Sequence, residues 1–271
     1  MKRVLITGKG SYIGTAFKDY IGLWSDDYQV DTIDMIDGSW RKKNFAGYDS
    51  VFHVAGVAHI KETKKNADLY YKINRDIAYE TALKAKFEGV RQFIYLSSMS
   101  VYGLETGVIS KETPPKPNSN YGKSKLQAEK LIEQINDTSF RVVVVRPPMV
   151  YGEGCKGNYD KLKRLMVKIP IFPEIHNQRS MIHISVLVGV IKRLIDEEMQ
   201  GIFFPQDDEY VCTTELVSQM VNSCGKKIYT TRLFNPLIKL IKTLQFKSAI
   251  KMFGDLVYEK EMSMIKSDSH N

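Results

Sequence analysis

The chain has 271 residues, 43% of them hydrophobic and 26% charged, a balance that sets aside disordered and fibrous classes. That length suits one large domain, or a main domain with a small one appended. The net charge is +8, and residues 226–271, with nine Lys/Arg and four Asp/Glu, carry +5 of it.

The first apolar run, inside MKRVLITGKG, is too short for a signal peptide. No segment reaches about 18 uninterrupted apolar residues, so no membrane span is expected and a cytoplasmic location follows by default. Val4–Ile6 reads as a strand, and VLITGKGSYIG then places Gly8, Gly10 and Gly14 between that strand and a helix. A backbone without Cβ atoms lets a phosphate approach closely, and the helix N-terminus adds partial positive charge. A plain strand-to-helix turn uses the same residues, but the strand–glycine–helix context is the one a dinucleotide requires.

The next strand, Tyr28–Ile33, ends at Asp34, about twenty residues past the last glycine. A carboxylate there accepts from adenosine ribose hydroxyls and repels a 2′-phosphate, which favours NAD over NADP. Asp31 and Asp37 lie close enough to compete for the role. Only residues 35–50 precede the following strand, too few for a full helix–strand–helix insert, so this sheet edge is expected to be abbreviated.

Val51–Val54, Phe93–Leu96 and Val142–Val145 continue the series of apolar strands, and 69–87 and 121–135 carry helical periodicity. Strands without polar alternation fit a parallel sheet covered on both faces, and their alternation with helices predicts a doubly wound α/β fold. The clearest loop is Lys111–Ser119, with three prolines. After about residue 150 the pattern loosens around Gly152, Gly154 and Gly157. The division expected is a dinucleotide-binding domain over 1–150, with later segments contributing, and a smaller substrate lobe drawn mainly from 151–271.

YGKSK sets Tyr121 and Lys125 four apart on one helix face. Tyrosine, with a pKa near 10, is a poor base at neutral pH. A neighbouring ammonium and an oxidised nicotinamide both favour the phenolate, and a shift of about 3 units corresponds to roughly 4 kcal/mol. Upstream, FIYLSSMSVYG closes a strand in two serines, whose hydroxyls suit a reacting sugar oxygen. An exposed Tyr/Lys helix face would give the same pattern without chemistry.

The segments TGxxxxxG, SSxSVYG, YGKSK and RPPMVYG occur in order over roughly residues 3–200, and as a set they resemble the extended short-chain dehydrogenase/reductase family. The resemblance implies a Rossmann-type sheet, with Ser98 as catalytic hydroxyl, Tyr121 as acid/base and Lys125 as its partner. It also implies a cofactor held by Gly8, Gly10, Ser11, Tyr12, Ile13, Gly14, Asp34, Ala55 and Lys125. HVAG, His53–Gly56, resembles a strand end lining the cofactor, although a buried structural His53 fits equally. The family's usual middle glycine is Ser11 here. Met99 and Ser100 replace the Asp–Glu pair of the nucleotide-sugar dehydratases, which argues against dehydration.

The stretches RPPMVYGEGCKGNY and NQRSMIHIS are similar to the substrate lobe of UDP-hexose 4-epimerases and of 4-ketoreductases from surface-polysaccharide pathways. By that resemblance Arg179 grips the diphosphate and Asn158 contacts the nucleotide or phosphate, beside Ser98 on the sugar; a surface salt bridge and a turn are the plainer roles for Arg179 and Asn158. Ser185 stands where the family often has an acid. The function implied is hydride chemistry at C4 of a UDP-hexose: a UDP-sugar 4-epimerase with NAD, or alternatively an NAD(P)H-dependent 4-ketoreductase of a UDP-4-keto-6-deoxy sugar. A non-catalytic NAD-binding protein is the third reading, disfavoured because Ser98, Tyr121 and Lys125 stand together. The resemblance implies a homodimer.

Cys155, Cys212 and Cys224 show no CxxC pairing and read as reduced thiols, with no metal site. The basic C-terminal region is read first as a solvated helix face. General attraction for polyanions and contact of PLIKLIKTLQFKSAIKMF with an anionic membrane surface are the other readings. No nucleic-acid motif accompanies the charge.

Overall fold

The computed structural model describes residues 1–58, 60, 62–155, 166, 169–244 and 246–263. In chain order the strands are β1 (Lys2–Thr7), β2 (Tyr28–Ile33), β3 (Ser50–His53), β4 (Gln92–Leu96), β5 (Gly107–Ile109), β6 (Arg141–Val145), β7 (Met149–Tyr151), β8 (Ile171–Pro173), β9 (Met181–His183), β10 (Gly201–Phe203), β11 (Tyr229–Thr231) and β12 (Leu256–Tyr258). The helices are α1 (Tyr12–Ile21), α2 (Ala67–Tyr70), α3 (Ala78–Phe87), α4 (Asn120–Glu133), α5 (Ile184–Asp196), α6 (Thr213–Asn222), α7 (Asn235–Thr243) and α8 (Lys247–Phe253).

Six strands form a parallel sheet in the order β10-β6-β4-β3-β1-β2. Every strand side chain must find an apolar layer, because both faces are covered. Leu5, Val51, Phe93, Tyr95, Val142 and Val144 face one layer with Ala78, Ala82 and Ala85 of α3 and Ala128 and Ile132 of α4. Their neighbours Val4, Ile6, Phe52, Ile94, Val143 and Val145 face the other, with Phe17 and Ile21 of α1 and Leu187, Val188, Ile191 and Leu194 of α5. This is the doubly wound Rossmann-type sheet expected from the strand pattern.

The abbreviated edge is also present. Between β2 and β3 the chain makes one short 3-10 turn, Ser39–Lys42, with Trp40 and Phe45 buried against the sheet in place of a helix. No strand lies outside β2 among the described residues.

At the other edge, β10 pairs with β6, and α5 covers one sheet face, so residues 184–203 return to the main sheet. Three small parallel pairs, β7–β9, β8–β11 and β5–β12, build the region beyond the strand ends. The order in which strands are added reverses between β1 and β3, which opens a crevice at their carboxyl ends.

Candidate active site

The β1–α1 turn lies in that crevice. Gly8 has φ +96°, and a Cβ there would sit 3.1 Å from the backbone of Ala55, so the turn meets the end of β3 only because residue 8 has no side chain. Gly8 and Lys9 donate to the Ile33 carbonyl at 2.9 and 3.1 Å, which fastens the turn to the end of β2. Gly10, with open space where a Cβ would project, forms the outer wall.

Ser11 is the N-cap of α1, its Oγ accepting from the Gly14 N–H at 3.2 Å. The shifted glycine pattern therefore keeps a regular helix start. Gly14 packs on Ile6 and Val54, Ile13 joins the core beneath, and Tyr12 reaches the Gly152–Gly154 turn.

The three competing acids are separated by their partners. Asp31 accepts from the Tyr48 hydroxyl at 2.5 Å, and Asp37 accepts from the Ser39 N–H at 2.9 Å. Asp34 is exposed at the carboxyl end of β2, next to the turn, with one oxygen accepting from the Ile36 N–H at 2.9 Å. His53 is fully buried: its Nδ1 lies 2.9 Å from the Thr7 hydroxyl and its ring stacks between Phe93 and Tyr95. Burial, with Lys125 adding to it, pushes the His53 pKa down to about 3, so the imidazole is a neutral structural group.

Ser98 caps the short 3-10 turn Met99–Tyr102 after β4. Its Oγ accepts from the Ser100 N–H and donates to the Ser100 hydroxyl, both at 3.1 Å. Tyr121, in the first turn of α4, faces this serine. Gly122 makes the approach close: a Cβ there would fall 2.5 Å from the Ser100 carbonyl oxygen. Burial raises the Tyr121 pKa above its usual 10, the Ser98 hydroxyl opposes that by hydrogen bonding, and Tyr70 adds to the rise.

Lys125, one turn on, is 4% exposed. Its Nζ donates to the Leu96 carbonyl at 2.7 Å and lies 4.7 Å from the centre of the Tyr95 ring. Burial brings its pKa down to about 7, against the opposing field of Glu129. Desolvation dominates both groups, and the ammonium, itself titrating near neutrality, is turned to the Leu96 carbonyl.

Asn74 escaped the sequence reading. Residues 69–87 read as one helix, but α2 and α3 are joined by a π-helical segment, Tyr71–Ile77, that carries this buried side chain. Asn74 Oδ1 accepts from the Val57 N–H at 2.8 Å; Nδ2 donates to the Val57 carbonyl at 3.0 Å and to Ser124 Oγ at 3.2 Å. It ties the loop after β3 to α4, so that Gly56 approaches both Asn74 and Lys125 Nζ. A polar residue at a core position of a helical pattern was the available signal.

Beneath Lys125 lies a second missed group. Glu129 and Arg146 are 1% and 6% exposed and form a forked ion pair, Nη2–Oε2 2.6 Å with Nε at 3.1 and 3.2 Å. Arg146 also donates to the Tyr102 hydroxyl at 3.0 Å, and the Ser97 hydroxyl donates to Glu129. Burial works against the Arg146 charge, but the bonds and field of Glu129 outweigh it and push its pKa up.

Arg179 is half-buried between β12 and the 211 strand segment, with Nη1 donating to the Gly254 carbonyl at 2.9 Å. Burial lowers its pKa, opposed by Glu105 and Asp255. Asn158 lies outside the described residues. Among those described, no cluster of three or more His, Cys, Asp or Glu suits a metal ion. The thiols of Cys155 and Cys212 donate to the Val150 and Ile175 carbonyls at 3.3 and 3.0 Å, and among the described residues no helix is long and apolar enough to cross a membrane.

Residues 4–198 match the model of the NAD dependent epimerase/dehydratase family. A UDP-glucose 4-epimerase of Vibrio cholerae is 31% identical over 251 residues, 83% of this chain and 76% of the relative. An N-acetyl-alpha-D-glucosaminyl-diphospho-ditrans,octacis-undecaprenol 4-epimerase of Escherichia coli O157:H7 is 28% identical over 211 residues, 75% of this chain and 63% of the relative. Among solved structures, the UDP-glucuronic acid 4-epimerase of Bacillus cereus in complex with NAD superposes with TM-score 0.74 at 17% identity, covering 96% of this chain and 88% of that one. The dTDP-4-dehydrorhamnose reductase of Bacillus anthracis in complex with NADP gives 0.71 at 17%, covering 93% and 98%. The structural likeness is one of fold; the matched model and the Vibrio relative decide membership, and the chain belongs to the NAD dependent epimerase/dehydratase family.

Proposed function

We propose that the protein is an NAD-dependent 4-epimerase of a UDP-hexose. The observation that carries the reading is the convergence of Ser98, Tyr121 and Lys125 beside the Gly8–Ala55 crevice. The glycine turn, open at Gly10 and backed by the α1 N-terminus, fits a pyrophosphate, and exposed Asp34 fits the adenosine ribose hydroxyls. Asp34 favours NAD because its charge opposes a 2′-phosphate.

Bound NAD supplies a hydride acceptor and donor at C4 of the sugar. Tyr121 takes the proton of the C4 hydroxyl and later returns it to the C4 oxygen, while Ser98 orients that oxygen by a hydrogen bond. Lys125 holds the nicotinamide ribose and adds positive charge beside the phenol when it turns from the Leu96 carbonyl. Between the two proton transfers a 4-keto sugar presents its other face. Arg179 neutralises the diphosphate. The family resemblance further supports a homodimer, and Leu69, Leu83 and Phe87 lie exposed along α2–α3.

The test is incubation of the purified protein with catalytic NAD and UDP-glucose or UDP-N-acetylglucosamine, following C4 configuration by proton NMR. Appearance of the galacto epimer supports the reading. No conversion, with NADH or NADPH oxidised by a UDP-4-keto-6-deoxy sugar, replaces it by the 4-ketoreductase. Tight NAD binding without either turnover leaves the non-catalytic reading.

A further inference from the structure

The basic C-terminal helices take no part in this chemistry, and their surface departs from that of the other helices. Ile238 of α7 is 8% exposed and anchors the helix. Leu237 and Leu240 of the same helix are 54% and 55% exposed; Leu233 just before it and Leu244 just after are 80% and 61% exposed. Leu237, Leu240 and Leu244, whose N–H donates to the Leu240 carbonyl at 2.9 Å, recur at intervals of three and four and form one stripe along the helix, with Leu233 exposed just before it. Phe246, at the start of α8, lies exposed beyond them. A leucine stripe is ordinarily the face a helix turns to its core, and none of the described residues covers this one.

Charge identifies what does. Residues 226–253 contain seven Lys/Arg and no Asp or Glu. Arg232 and Lys251 pair with Glu174 and Glu105 from elsewhere in the chain, at 2.7 and 3.3 Å, while Lys227 and Lys239 are exposed. A second copy seated on this face would bring two surfaces of net positive charge together, at a Coulomb cost. A bilayer with anionic headgroups satisfies both features, apolar side chains entering the acyl boundary and lysines meeting phosphate. Helix α7, nine residues long, is too short to cross, so it lies in the interface plane.

We propose that the α7–α8 face docks this protein on an anionic membrane surface through Leu233, Leu237, Leu240 and Leu244 and the lysines around them. The docking stands on surface chemistry alone and does not depend on which sugar is turned over.

The experiment is co-sedimentation of the full chain with vesicles of equal parts phosphatidylglycerol and phosphatidylcholine, against phosphatidylcholine alone, at low and high salt. The expected result is binding to the anionic vesicles at low salt, several-fold weaker at high salt and absent on phosphatidylcholine. Leu237→Ser with Leu240→Ser should weaken binding by about tenfold or more. Lys239→Gln should weaken it about fivefold. Melting curves of each variant that match the parent keep these losses from being unfolding. No sedimentation with anionic vesicles at low salt overturns the proposal, as does unchanged binding in the leucine variant. A dimer in equilibrium sedimentation that the leucine variant abolishes, without vesicle binding, makes a second copy the occupant and overturns it equally.

Discussion

Helix α4 buries Ser124, Lys125 and Glu129, whereas helix α7 leaves Leu237 and Leu240 in the open. Each breaks the rule that apolar residues go inside and charges outside, and they break it in opposite directions. In α4 the anomaly is compensated within the molecule: Lys125 donates to Leu96, Glu129 is forked by Arg146, and Ser124 is held by Asn74. In α7 no compensation appears among the described residues. The contrast separates a site finished by folding from a surface finished by a partner.

The largest effect that sharpens the comparison lies at the head of α4. On the proposed function Tyr121→Phe removes the proton acceptor and should lower the epimerisation rate about 10²–10⁴-fold, with NAD affinity by calorimetry little changed. A rate near that of the parent would reduce the α4 cluster to packing.

Next is the ion pair below it. Arg146→Met leaves Glu129 buried against Ser97 without its cation, and should cost about 3–5 kcal/mol in chemical denaturation. His53 tests the same core by pH. Its folded pKa of about 3 lies below the ordinary 6.5, so the unfolded chain binds more protons between these values. The stability it contributes is present above pH 6.5 and is lost as pH falls toward 3, on the order of 5 kcal/mol over the whole interval. His53→Gln should flatten that acid limb relative to the parent in urea titrations at stepped pH.

The smallest effect completes the series. Ile132→Ala in α4 should cost about 2–4 kcal/mol, whereas Leu240→Ala in α7 should stay within about 0.5 kcal/mol, both read as midpoint shifts in urea. A large loss at Leu240 would mean that α7 is covered within the chain.

The sequence made the frame legible where local pattern and burial agree. Runs such as Val142–Val145 have both faces covered, so composition alone marked them, and the 35–50 gap was too short to hide a missing edge helix. The glycine turn was readable because Gly8 answers to a backbone approach at Ala55. What escaped depends on contacts distant in the chain. Strands β5, β10 and β12 have three residues each, and β5 and β12 pair across about 150 residues. The fork of Glu129 and Arg146 joins a helix to the end of a strand; its trace in the sequence was a charge at an otherwise apolar position. The bond of Lys125 to the Leu96 carbonyl was not legible, because spacing fixes the face but not the direction of a long side chain or the weight of desolvation.

The return of β10 to β6 has a consequence for anyone dividing this gene. Truncation near residue 150 would strip Gly201–Phe203 from Val143–Val145 and lift α5 from the sheet, baring a flat valine edge and the apolar face that Leu187 and Ile191 now cover. Such an edge is a template for strand addition by neighbouring molecules. The first half alone is thus an aggregation hazard, and residues 184–203 are the clasp that covers the edge and the face responsible.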